Sequence, residues 1–209
     1  MAKVKICGLR DEAMLRVAAE AGADWVGFVF FAKSVRAVDV KTVARLPHYP
    51  GCTPVALLVD ADDRLIDEVV QAGISTLQLH GRESPQRVEE IKKRTGAEVW
   101  KAHGVTSAGD LAALEAYTAA DQYLLDARPP QGSDVPGGHG RPFDWSVLDD
   151  WQPSTPWILS GGLDVDNVAG AIAATGAVAV DVSSGVECQR GVKDETLIAN
   201  FIAAAKAAG

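Results

Sequence analysis

Eight alternations of a short apolar run with an amphipathic stretch predict one (β/α)8 (TIM) barrel spanning residues 1–209. Two further observations agree. Ala21-Gly22-Ala23, Ala72-Gly73-Ile74, Thr95-Gly96-Ala97 and Thr175-Gly176-Ala177 each follow a helical stretch and precede an apolar run, the place for a glycine C-cap that hands the chain to a strand. Near the C-terminus, Gly161-Gly162 and Ser183-Ser184-Gly185 each follow an apolar run and precede a helical pattern. The turns after strands seven and eight are where barrels of this kind hold phosphate, because backbone N–H groups converge there and glycine lets the chain approach an anion closely.

Taken in order, the predicted strands are Val4 to Cys7, Trp25 to Phe30, Pro54 to Val59, Thr76 to His80, Glu98 to Ala102, Gln122 to Leu125, Pro156 to Leu159 and Val178 to Val182. The helical stretches between and after them are Asp11 to Ala21, Val40 to Leu46, Arg64 to Ala72, Pro85 to Arg94, Ala108 to Ala116, a short one from Trp145 to Asp149, Val165 to Ala174 and Glu195 to Ala208. A barrel this short leaves room for minimal loops only. The exception is Ala127 to Pro142, a long Gly/Pro-rich segment after strand six that we read as a lid over the catalytic face.

The composition, 47% hydrophobic with a net charge of −8, is that of a globular protein and argues against nucleic acid or an anionic membrane as a partner. A small anionic substrate stays compatible, since a local site can oppose the global field. The sequence shows no signal peptide and no apolar run long enough to span a bilayer. Cys7, Cys52 and Cys188 are odd in number and widely spaced, which suggests neither disulfides nor a zinc site and fits a cytoplasmic location. Assembly is left open between monomer and homodimer. No GxGxxG, P-loop or metal-ligand set is present, so no cofactor and no metal are expected.

The candidate chemistry lies at strand ends. Cys7 closes strand one just before Gly8, and Lys3, Lys5 and Cys7 share one strand parity, so Lys5 would lie beneath the thiol and favour the thiolate. Asp126 closes strand six. Thiol and carboxyl, placed across the mouth, suit a base and an acid acting on opposite sides of one substrate. For each there is a plainer reading: a small buried hydrophobe for Cys7, a loop cap for Asp126. Arg36, in the loop after strand two, suits a substrate carboxylate or is a solvated surface arginine. Gln78 and His80 share a face of strand four and line the pocket, with a structural role favoured for the histidine.

Lys5-Ile6-Cys7-Gly8, Gln78-Leu79-His80-Gly81, Leu125-Asp126, Gly137-Gly138-His139-Gly140 with Phe143-Asp144-Trp145, Ser160-Gly161-Gly162-Leu163, and Asp181-Val182-Ser183-Ser184-Gly185-Val186-Glu187 with Gly191-Val192-Lys193-Asp194 together resemble the N-(5′-phosphoribosyl)anthranilate isomerase family of tryptophan biosynthesis, from the first strand to the last helix. The resemblance implies a cofactor-independent Amadori rearrangement of a phosphorylated small molecule. By motif it makes Cys7 the general base, Asp126 the general acid and Arg36 the ligand of the anthranilate carboxylate. It assigns the phosphate to Gly161, Gly162 and the Ser183, Ser184, Gly185 turn. The chain departs from the family pattern at Val35, where proline is common, and at His139, where serine or threonine is usual. Two other readings are a phosphosugar Schiff-base lyase or aldolase using Lys5 or Lys101, and a non-catalytic phosphate-metabolite binding protein. An isomerase working with two aspartates would need a carboxylate where Cys7 stands.

Overall fold

The structure, a computed structural model, describes residues 1–128 and 142–209. Eight parallel strands close into a barrel in sequential order, β1 (Lys3–Cys7), β2 (Trp25–Val29), β3 (Thr53–Leu58), β4 (Thr76–Leu79), β5 (Glu98–Val105), β6 (Gln122–Ala127), β7 (Trp157–Leu159) and β8 (Ala179–Val182). Lys5 pairs with Asp181 where β1 meets β8 to seal the cylinder. The helices are α1 (Glu12–Glu20), α2 (Val40–Val43), α3 (Asp63–Gln71), α4 (Pro85–Thr95), α5 (Ala108–Leu114), α6 (Val168–Thr175) and α7 (Glu195–Ala208), with a 3-10 turn at Trp145–Leu148 between β6 and β7. Asp11, Asp62, Ser84 and Asp194 each accept a backbone N–H three residues on and so cap α1, α3, α4 and α7.

Strand parity divides the core in two. One set of side chains, among them Val4, Ile6, Phe28, Leu58 and Leu79, packs outward against the helices. The other fills the barrel: Val55, Trp100, Ala102, Leu124, Ile158 and Ala179, with Trp25 set edge-on to Trp100 at 5.3 Å. Two residues further along the same strands the inward positions turn polar. Asp126 follows Leu124, Ser160 follows Ile158, and Asp181 follows Ala179. The apolar plug is thus a floor, and the site is built on it.

Four elements differ most from the sequence expectation. Strand β5 runs on to Val105 because Gly104 and Val105 pair with Asp126 and Ala127, so His103-Gly104 does not end it. Helix α2 stops at Val43 rather than Leu46. Helix α6 begins at Val168, since Asp164 and Asn167 lock the preceding turn by exchanging side-chain to backbone hydrogen bonds. The Ser183–Gly185 turn does not lead straight into a helix: a small antiparallel hairpin, β9 (Glu187–Gln189) with β10 (Val192–Lys193), intervenes before α7. Residues 129–141, most of the expected lid and including Gly137, Gly138, His139 and Gly140, lie outside the described residues.

Candidate active site

At the C-terminal mouth of the barrel lies a cavity of about 660 Å³, counting its open entrance. Cys7, Arg36, Gln78, His80, Asp126, Gly161, Gly162, Ser183 and Ser184 all line it. Residues separated by up to 177 positions therefore meet because each lies at the end of a strand or in the turn or loop that follows one. Among the ten expected site residues, Gly185 stands apart. It forms a bridge with Asp164 between the seventh and eighth turns, and a Cβ there would sit 1.9 Å from the Leu163 carbonyl oxygen. Its glycine is needed to dock the two turns on each other.

The thiol rests on a charged network. Lys5 Nζ, fully buried, donates to Asp181 Oδ1 at 2.7 Å, and Ser160 Oγ donates to Asp181 Oδ2 at 2.8 Å. Gly27 leaves the space where thiol and ammonium meet, for a Cβ there would lie 2.8 Å from Cys7 Sγ and 3.1 Å from Lys5 Nζ. Burial is the largest single influence and opposes the Lys5 charge, but Asp181 and Cys7 together outweigh it and raise the ammonium above its ordinary value. Lys5 is thus a fixed cation under Cys7. Burial nevertheless dominates at Cys7 itself and pushes the thiol up, with Lys5 and Lys193 pulling the other way. The expectation that Lys5 favours the thiolate holds for the direction of its effect. Its pull is smaller than the effect of burial, so the thiol lies above its ordinary value.

Asp126 is held on three sides. Its Oδ1 accepts the Ala127 N–H at 2.8 Å, and its Oδ2 lies 3.3 Å from His80 Nε2. The Gln78 side chain lies 3.0 Å from His80 Nδ1. With the amide nitrogen toward the ring, Nδ1 accepts and the imidazole carries its proton on Nε2, facing Asp126. Gly161, at φ 86°, brings the seventh turn against this carboxylate. A Cβ there would stand 2.4 Å from Ala127 N and 3.1 Å from Asp126 Oδ1.

Arg36 is buried rather than solvated. Its stem crosses Gly8, where φ is 84° and a Cβ would lie 2.7 Å from Arg36 Cδ. Its Nε and Nη2 donate to the two carboxylate oxygens of Glu187 at 2.6 and 2.9 Å. Lys193 Nζ reaches Glu187 Oε1 at 3.0 Å and the Ser183 carbonyl at 2.8 Å. Sequence reasoning missed Glu187, Lys193 and Asp181 as site residues. Asp181 carried a usable signal, a carboxylate inside the apolar run Val178 to Val182 at the parity of Ser183. Glu187 and Lys193 carried none without the hairpin.

Lys101 faces the other way. It is buried between barrel and helices, donating to Glu83 Oε2 and the Gly81 carbonyl, both at 2.8 Å, and cannot offer its amine to the cavity. Among the described residues, no three His, Cys, Asp or Glu side chains are grouped to hold a metal ion, and no helix is long and apolar enough to cross a membrane.

A closed parallel barrel with a thiol, a carboxyl and glycine turns around one rim cavity defines a class: the (β/α)8 barrels that work on small anionic metabolites. Comparison with known proteins narrows it. The family described as N-(5'phosphoribosyl)anthranilate (PRA) isomerase matches residues 4–204, and the chain belongs to that family. The N-(5'-phosphoribosyl)anthranilate isomerase of Hyphomonas neptunium is 53% identical over 208 residues, covering 99% of this chain and 98% of its own. That of Cereibacter sphaeroides is 50% identical, with 98% of each chain covered. Among solved structures, the Thermotoga maritima phosphoribosyl anthranilate isomerase superposes with a TM-score of 0.88 at 36% identity, covering 99% of this chain and all of the other. A phosphoribosyl anthranilate isomerase in complex with reduced 1-(o-carboxyphenylamino)-1-deoxyribulose 5-phosphate superposes at 0.85 with 33% identity, over 99% and 100% of the two chains.

Proposed function

We propose that this chain converts N-(5-phospho-D-ribosyl)anthranilate to 1-(2-carboxyphenylamino)-1-deoxy-D-ribulose 5-phosphate in tryptophan biosynthesis, with Cys7 as general base and Asp126 as general acid. The observation that carries the residue roles is the convergence of this thiol and this carboxyl on one cavity that also holds Arg36 and the two glycine turns. Family membership supplies the reaction. Protonated Asp126 donates to the ribose ring oxygen as the C1–O bond breaks, and the nitrogen lone pair forms a protonated Schiff base. Cys7, as thiolate, takes the proton from C2, and those electrons move to give an enolamine. Tautomerisation of the enol to the ketone completes an isomerisation in which no external electron or group is needed. Backbone groups of Gly161, Gly162, Ser183 and Ser184 receive the phosphate, and Gly185 holds their two turns together. Arg36 receives the anthranilate carboxylate. His80 sits beside Asp126 as a positioning neighbour, itself oriented by Gln78.

Loss of substrate fluorescence on adding the protein to freshly generated phosphoribosylanthranilate tests this. Cys7→Ser and Asp126→Asn are each expected to lower kcat by about 10²–10⁴-fold, the usual worth of a positioned acid or base. Turnover that survives either change within a few-fold removes that residue from the pair. Absence of turnover by the unaltered chain removes the reading as a whole.

A further inference from the structure

Among the described residues the β9–β10 hairpin has no strand partner in the barrel, yet it buries two charged side chains behind the cavity wall, Glu187 against Arg36 and Lys193 against Ser183, which face each other in register with side chains only 3% and 4% exposed. Glu187 spends all its acceptor capacity there. Oε1 takes Arg36 Nε and Lys193 Nζ, while Oε2 takes Arg36 Nη2 and the Gly191 N–H at 2.9 Å. Burial opposes ionisation, but the hydrogen bond from Arg36, the Lys193 charge and the Gly191 N–H outweigh it and hold this carboxyl at about 2. It is therefore a permanent anion. The hairpin tip is also tied to the loop that carries Arg36: Arg10 donates to the carbonyls of Gly191 at 2.9 Å and Val35 at 3.3 Å, and Val35 packs on Gly191.

A guanidinium has two edges able to grip a carboxylate in parallel, and Glu187 occupies the Nε–Nη2 edge. Among the described residues Nη1 has no hydrogen-bond partner, so the Nη1–Nη2 edge is the one left for a ligand. Arg36 with Glu187 alone would be neutral. Burial pulls the Lys193 ammonium below its ordinary value while Glu187 holds it up, and in its protonated form it returns the trio to a single positive charge, matched to one carboxylate.

We propose that Glu187 is a positioning residue for substrate recognition: it pins Arg36 so that the Nη1–Nη2 edge meets the aromatic carboxylate end-on, while Lys193 restores the net charge. This rests on the reading of Arg36 as the carboxylate ligand. The pinned arginine loses its side-chain freedom on folding, and binding does not have to supply it again.

The test is binding of two compounds, reduced 1-(o-carboxyphenylamino)-1-deoxyribulose 5-phosphate and its analogue lacking the ring carboxyl, to the unaltered chain, Glu187→Gln, Arg36→Ala and the double variant. Glu187→Gln is expected to weaken the carboxylated compound by about tenfold, the upper end of the cost of immobilising one long side chain. The carboxyl-free compound should bind as before, KM should rise with kcat held within about threefold, and the substitution should add nothing in the Arg36→Ala background. Equal weakening of both compounds, no weakening of either, or an undiminished effect without Arg36 overturns the proposal. If Arg36→Ala itself leaves the preference for the carboxylated compound intact, the reading of Arg36 fails instead, whatever Glu187 does.

Discussion

The two sides of the barrel wall carry the same kinds of group. Inside, Lys5 is buried against Asp181 beneath the buried thiol of Cys7. Outside, in the layer under the helices, Lys101 is buried against Glu83, and Cys52 lies in the apolar shell. Both lysines form ion pairs of 2.7–2.8 Å, and both thiols are pushed up by burial. Neither burial nor a perturbed titration therefore marks the site. What differs is what else faces each group. The inner lysine shares its space with a thiol under an open cavity. The outer one is consumed by the Leu79 and Gly81 carbonyls, Glu83 and the face of Tyr117, and serves to hold the β4–α4 turn to β5. One residue of strand register decides between chemistry and architecture.

The comparison breaks first on stability. Lys101→Met and Lys5→Met each strand a buried carboxylate, which costs about 3–5 kcal/mol, a large part of a domain's usual reserve. Urea unfolding should show comparable losses for both, and a loss under about 1 kcal/mol at either site would show that the pair there is solvated or dispensable. Replacing both partners should recover most of the loss: Lys101→Met with Glu83→Gln on the outside, Lys5→Met with Asp181→Asn on the inside. Gln keeps an acceptor for the N–H groups of Asp60 and Gly81, and Asn keeps one for Ser160.

Activity should then separate the two repaired proteins. The outer replacement is expected to keep kcat/KM within about twofold, whereas the inner one should lose about 10²-fold, the low end of the worth of an activated base. Steady-state kinetics on proteins first shown to be folded decides this. Equal activity in both would mean that Cys7 works without the cation beneath it.

Much of this was legible from the residues. The eight strands came from apolar runs and their glycine punctuation, and Cys7, Asp126 and both glycine turns came from lying at strand ends. Local pattern reports parity and position reliably there, because a strand buried on both faces tolerates little else. What was not legible depends on partners distant in sequence. Lys101 stands near the end of the strand read from the sequence, as a catalytic lysine would, but β5 runs on to Val105 and the strand register points Lys101 outward. Asp181 looks like an anomaly in an apolar run until Lys5 is placed beside it. Glu187 and Lys193 sit on a hairpin whose two strands hold only five residues, too short for any alternation to register, and their role appears only once Arg36, 151 positions from Glu187, is folded against them.

A smaller effect concerns the pH at which Cys7 works. Because burial raises its thiol, the free enzyme holds Cys7 mostly protonated at neutral pH, and the reactive fraction grows as pH rises toward the folded value. Alkylation of Cys7 by iodoacetamide, followed by mass, should therefore speed up about tenfold per pH unit across that range. The Lys5→Met/Asp181→Asn protein should reach the same rate only at higher pH, since the stronger of the two influences removed, that of Lys5, is the one that favours the thiolate. A rate flat from pH ~6 upward would mean a thiol already ionised, with the cation outweighing burial.

The weakest signal belongs to Cys52, and it isolates burial from function. Burial, with Asp24 adding to it, pushes this thiol from an ordinary 9.0 to about 11. The native state thus keeps a proton that the unfolded chain releases between those values. With fewer protons on the unfolded state, stability is fully present below 9.0 and falls as pH rises toward about 11. Cys52→Ala removes that dependence, so the stability gap between the unaltered chain and Cys52→Ala should narrow steadily from pH ~8.5 to ~10.5 while the two proteins keep equal activity at each pH. Urea midpoints at matched pH measure the gap. A gap that stays constant would place Cys52 in contact with water, and a loss of activity on substitution would mean that the outer layer reaches the chemistry after all.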